Sequence, residues 1–154
     1  MVRGFWLLVH VLGFTLWLGG GIATMIAGVK AKTFAPAERL KAYKLIAAVQ
    51  GLLVGPGAAA VVISGVVLLL NGPYMHSGDV PGWLTIMMAA GILGGIAAVT
   101  ISVPTAGRLG RLEVGPRGEL PEAFAGLRKR QIMAATIAGS LGLIALFAGT
   151  LGRG

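Results

Sequence analysis

The segment Gly4–Val29 is 26 residues long, almost wholly apolar, and holds one ionisable side chain, His10. A helix rising about 1.5 Å per residue crosses a hydrocarbon core of about 30 Å in roughly 20 residues, so this run is long enough to span. Three more runs share the property: Leu45–Leu70, Leu84–Val103 and Ile132–Leu151. None of the four contains Asp, Glu, Lys or Arg. Only helices or closed barrels satisfy their backbone inside lipid, and runs of this length are helical spans. The expected fold is therefore all-α: a single four-helix transmembrane domain over residues 1–154.

Composition agrees. Charged residues make up 12% of the chain, about half the share of a soluble domain, while Gly contributes 26 positions. The net charge of +8 does not point to nucleic acid, because the basic residues flank apolar runs instead of forming a face. No cysteine is present, which removes disulfides, thiolate ligands and Cys nucleophiles. Gly4–Val29 is longer than the apolar core of a signal peptide and flows into Lys30 and Lys32 without a small-x-small site, so it reads as a retained span.

Of the 13 basic residues, all but Arg3 and Arg153 fall in 30–44 or 104–131. The connection Asn71–Gly82 has none. By the positive-inside rule, loops 30–44 and 104–131 are cytoplasmic, and both termini lie outside an inner (plasma) membrane. Pro36 with Glu38, and Pro121 with Glu122, read as helix starts; Pro56 reads as a kink. The third helix is expected to run past Pro104 toward Leu112. Gly51-x3-Gly55 and Gly91-x3-Gly95 suit close helix packing, either within the bundle or as the face of a homodimer or larger membrane complex, or else reflect only the frequency of glycine in membrane helices.

The candidate site follows from depth. His10 lies four residues, or about 6 Å, past Trp6 at the outer interface. Met87 lies four past Trp83, with Met88 beside it, so His10 and Met87 fall in one layer. Ser64 and Gly65 supply the matching small residues of the second span, and Tyr74, Met75, His76 and Asp79 sit just outside. Three readings compete. His10 ligates haem b, with Met87, Met88 or a second subunit's His10 as the other axial ligand, and Trp17 and Gly13 wall the cofactor. Alternatively His10, Met75 and His76 handle copper at the outer face, since imidazole and thioether suit that metal. In the third, His10 bonds a carbonyl or hydroxyl across a helix pair and the methionines are packing.

From His10 the chain reads HVLGFTLWLGGG, placing Trp17 seven residues on, followed by Gly19-Gly20-Gly21. With Gly55-Pro56-Gly57 in the second span, this resembles the copper-resistance-D-like superfamily of small bacterial membrane proteins, and most its four-helix integral-membrane branch. A related branch is the cyanobacterial-type membrane protoporphyrinogen oxidase, in which a first-helix His is linked to haem b. The resemblance implies that role for His10. That family also uses a third-helix Lys, and Leu84–Val103 has none, so the resemblance implies haem binding and leaves the oxidase step without its Lys.

With no carboxylate or Lys at depth, a proton- or ion-coupled transporter is disfavoured. No phosphate loop or Ser/His/Asp set supports an ATPase or hydrolase. A non-catalytic accessory subunit packing on a larger complex is the remaining alternative.

Overall fold

The computed structural model describes residues 2–74 and 79–152. Four helices are long and apolar enough to cross a membrane. They are α1 (Val2–Lys30), α2 (Pro36–Leu70), α3 (Gly82–Gly110) and α4 (Ala123–Leu151). No strand occurs among the described residues. Each helix extends beyond its apolar run. The second starts at Pro36, whose fixed φ suits a first turn and whose missing N–H costs nothing there. The third continues through Pro104 to Gly110.

Large apolar side chains cover the outside: Leu8, Leu52, Ile63 and Phe147 are all more than half exposed. The interior is built from smaller groups around one large one, Trp17, which is buried with Val54, Ala58, Val61, Ala98 and Ala138. Lipid offers no hydrophobic drive between helices, so close contact between small residues must hold such a bundle. Gly13 and Gly57 provide it. A Cβ on Gly57 would stand 2.7 Å from the Trp17 backbone nitrogen and 2.8 Å from the Gly13 carbonyl oxygen. A Cβ on Gly13 would stand 2.9 Å from the Gly57 carbonyl oxygen. The α1 and α2 backbones therefore touch at this point. The Trp17 ring reaches across to α3 and α4, where a Cβ on Gly94 would lie 3.0 Å and one on Gly142 3.5 Å from it.

The other glycines divide. Gly95 admits the Val62 side chain, while Gly55 and Gly91 lie at ordinary contact distance from Val103 and Ala145. Gly19, Gly21 and Gly51 face open space.

Both prolines inside spans are met by a widened turn. Residues Gln50–Val54 and Ala98–Ser102 are π-helical, each ending two residues before a proline (Pro56 and Pro104). The Gly55 N–H donates to the Gln50 carbonyl, and the Val103 N–H to that of Ala98, five residues back in each case. A proline ring collides with the carbonyl four positions behind it, and the extra residue in the turn relieves that collision. The two turns adjoin, since Gly55 packs against Val103. They also mark a change of neighbour: Pro36–Val49 of α2 packs chiefly on Val103–Gly110 of α3, whereas Gly55–Leu70 packs chiefly on α1, and Gly82–Ala97 on α4.

At the level of the π-turns a chain of buried polar side chains links all four helices. Gln50 Nε2 donates to Thr24 Oγ1 (3.0 Å), Ser102 Oγ donates to Gln50 Oε1 (3.3 Å), and Gln131 Nε2 donates to Ser102 Oγ (3.1 Å). Thr24 passes its own proton to the Gly21 carbonyl (2.9 Å). The chain ends at Gln131 Oε1, a buried acceptor without a partner among the described residues.

Two stability predictions follow from these contacts. Gly57→Val drives a side chain into backbone and is expected to cost about 1–3 kcal/mol, whereas Gly51→Ala stays within about 0.5 kcal/mol. Gln50→Leu strands the buried Ser102 hydroxyl and is expected to cost about 1–3 kcal/mol. Gln131→Leu removes an orphaned carbonyl and is expected to cost less than Gln50→Leu. Thermal unfolding of the purified protein in detergent, followed by circular dichroism, ranks all four.

Candidate functional site

Away from the basic end, α1, α2 and α3 part around a cavity of about 210 Å³ that is partly open at the bundle surface. Its walls are almost entirely apolar. The polar exceptions include His10 midway down and Arg3 at the rim, with Tyr74 after the second helix and Trp83 in the first turn of the third.

The register fixed at Gly13–Gly57 sets His10 against Val61 and Ser64. Its Nδ1 lies 3.1 Å from the Val61 carbonyl oxygen and 3.0 Å from Ser64 Oγ. A carbonyl only accepts, and the Ser64 hydroxyl proton is directed to the Ala60 and Val61 carbonyls of its own helix. Nδ1 is therefore the protonated nitrogen and donates to both. That leaves Nε2 with a free lone pair, and it makes no hydrogen bond to a described residue. Backbone-anchored Nδ1 with open Nε2 is the usual state of a metal-ligating imidazole.

The ring is held on its other sides too. The absent side chain of Gly65 makes room for it, since a Cβ there would stand 3.2 Å from Cε1. Phe14 meets it edge-on at 5.3 Å between centroids, and Phe14 in turn stacks on Trp17 at 5.9 Å. A pinned ring of this kind loses little further freedom on binding a ligand.

His10, Met87 and Met88 line the same cavity. Met87 rests its sulfur over Gly149 of α4, where a Cβ would stand only 2.7 Å away. Gly13 and Trp17 do not line the cavity; they lie below it, Gly13 in the backbone contact with Gly57 and Trp17 in the central core. Met75 and His76 lie outside the described residues. Among the described residues no three His, Cys, Asp or Glu side chains gather to hold a metal ion.

Sequence reasoning did not single out Arg3 as a rim residue. Its signal was available, because it is the only basic residue before the first basic loop and sits seven positions, or two helical turns, ahead of His10. The polar chain Thr24–Gln50–Ser102–Gln131 is likewise not marked by the sequence. Single hydroxyls and amides in apolar runs carry no spacing signature of their own.

The chain matches no protein-family model, no curated protein and no solved structure. What it offers on its own terms is a four-helix membrane bundle with one anchored imidazole facing an apolar cavity.

Replacing His10 leaves no buried group stranded, since Ser64 keeps its bonds to the helix backbone. His10→Leu is accordingly expected to change stability by less than about 1 kcal/mol. Thermal unfolding in detergent checks this, and a near-neutral result qualifies the variant as a probe of ligand binding.

Proposed function

We propose that the protein is a small membrane redox protein in which His10 Nε2 would hold haem b in this cavity. The observation that carries the reading is the anchored imidazole: Nδ1 is committed to Val61 and Ser64, and Nε2 is free. The donor set fits the group. Nε2 would hold the iron, Met88 on α3 would offer a thioether, the Met87 sulfur is instead seated against Gly149 of α4, and the walls are apolar. Arg3 at the rim is suited to pair with propionate carboxylates. The volume of about 210 Å³ is below the range of about 300–1,000 Å³ filled by drug-sized ligands, so the macrocycle also needs the cavity's open side.

When bound, haem supplies one-electron transfer. The chain's part is to bind the iron through His10, to hold that ring in one orientation through Val61 and Ser64, and to surround the group with low-dielectric walls that tune its potential. Phe14 restricts tilting of the imidazole. This reading takes the basic end as cytoplasmic and both termini as external, which puts the cavity in the outer half of an inner membrane.

The test is an absorption spectrum of protein produced with ample haem and purified in detergent. A Soret band is expected in the wild type, lost in His10→Leu and retained in Ser64→Ala, which keeps the Val61 acceptor. In a reductive titration, Ser64→Ala is expected to shift the midpoint potential because the imidazole loses one of its two acceptors. A colourless wild type, or a band unchanged in His10→Leu, overturns the proposal.

A further inference from the structure

The basic end of the bundle holds a second concavity that the haem reading does not use. It is an open groove of about 460 Å³ between the first turns of α2 and of α4. Its floor is Phe124, Ile132 and Met133, and its charged wall is Arg39, Arg128 and Lys129.

What distinguishes this groove from ordinary flanking charge is how its two guanidinium groups are held. Arg39 Nε donates to the Ala31 carbonyl at 3.0 Å, and Nη2 donates to the carbonyls of Lys32 and of Phe34, the latter at 3.3 Å. Arg128 Nε donates to the hydroxyl of Tyr43 at 2.9 Å, a residue only 4% exposed and packed edge-on against Phe124. All these partners are neutral. They fix the position of two cations without cancelling their charge, and among the described residues neither cation is paired with a carboxylate. Glu119, in the preceding loop, is occupied with the Arg117 backbone N–H (2.9 Å). Several N–H donors of Arg128, and the ammonium of Lys129, have no partner among the described residues.

Directly beyond these charges, along α4, the surface is apolar: Ile132 is 49% and Met133 55% exposed. Fixed positive charge at a helix entry, continuous with exposed aliphatic surface in a membrane-spanning chain, is complementary to one kind of molecule. We propose that this groove binds an anionic phospholipid, its headgroup phosphate on Arg39, Arg128 and Lys129 and its acyl chains along Ile132 and Met133. Guanidinium forks match the paired oxygens of a phosphate, and basic pockets at a membrane surface suit acidic headgroups.

Native mass spectrometry of the whole protein in detergent tests this, with phosphatidylglycerol, phosphatidylcholine of the same chains, and inorganic phosphate as separate additions. Phosphatidylglycerol is expected to be retained in preference to phosphatidylcholine, and inorganic phosphate in excess is expected not to displace it. Lys129→Gln removes an exposed ammonium without touching any packed contact, and is expected to weaken phosphatidylglycerol binding about fivefold; Arg128→Gln is expected to weaken it at least as much. Lys41→Gln and Arg111→Gln, at the same end but outside the groove, are expected to leave it unchanged. Equal retention of the two lipids overturns the proposal. So does displacement by inorganic phosphate, which marks a free-anion site, or an equal loss in Lys41→Gln and Lys129→Gln, which marks diffuse attraction to the whole basic end.

Discussion

The backbone contact between Gly13 and Gly57 is the constraint on which the rest of the bundle depends. A membrane interior gives helices no reason to associate beyond van der Waals contact and the polar bonds they can make. Where two backbones touch, both become available. The contact also sets the register of two antiparallel helices, and everything else between α1 and α2 is read off that register. One turn toward the open end it brings His10 to Val61 and Ser64; toward the basic end it brings Thr24 to Gln50. The anchored imidazole and the buried polar chain are two results of a single fit.

Trp17 converts that pairwise fit into a bundle. An indole is too large to sit between closely packed helices unless the far side yields, and here it yields at Gly94 and Gly142. One aromatic ring from α1 thereby measures the distance to both α3 and α4. Phe14, stacked on it, carries the same order upward to the His10 ring. His10, Phe14 and Trp17 are a continuous run of ring contacts, edge-on and then stacked, from cavity to core.

Much of this architecture is legible in the sequence because the bilayer imposes it. Charge-free runs of about 20 residues cannot be other than spans, and Pro36, Pro121 and the basic loops mark where the helices begin. The level of Ser64 and Gly65 beside His10 follows from counting rise per residue from the interfacial tryptophans. The roles of individual residues are less legible. Trp17 and Gly13 share a helical face with His10, which fits a cofactor wall as well as a packing seam, and only the position of α2 separates these. Gly51 and Gly55 lie in one small-x3-small pattern, yet one faces open space and the other packs on α3. Spacing does not record which way a helix is turned about its own axis.

The paired π-turns bear on that rotation. An α-helical residue advances about 100° around the axis, so one additional residue in a turn re-aims everything beyond it by about that angle. In α2 and α3 the re-aiming occurs at one depth, where each helix exchanges its main neighbour. The chain is thus two short bundles of different pairing stacked end to end and joined by a phase offset. Length becomes a coded quantity at that joint: a one-residue deletion within Gln50–Val54 turns the cavity half of α2 away from α1 with no change in hydrophobicity, composition or topology. Sequences compared by hydropathy alone will look interchangeable across such a deletion, while the histidine's acceptors will have rotated out of its reach.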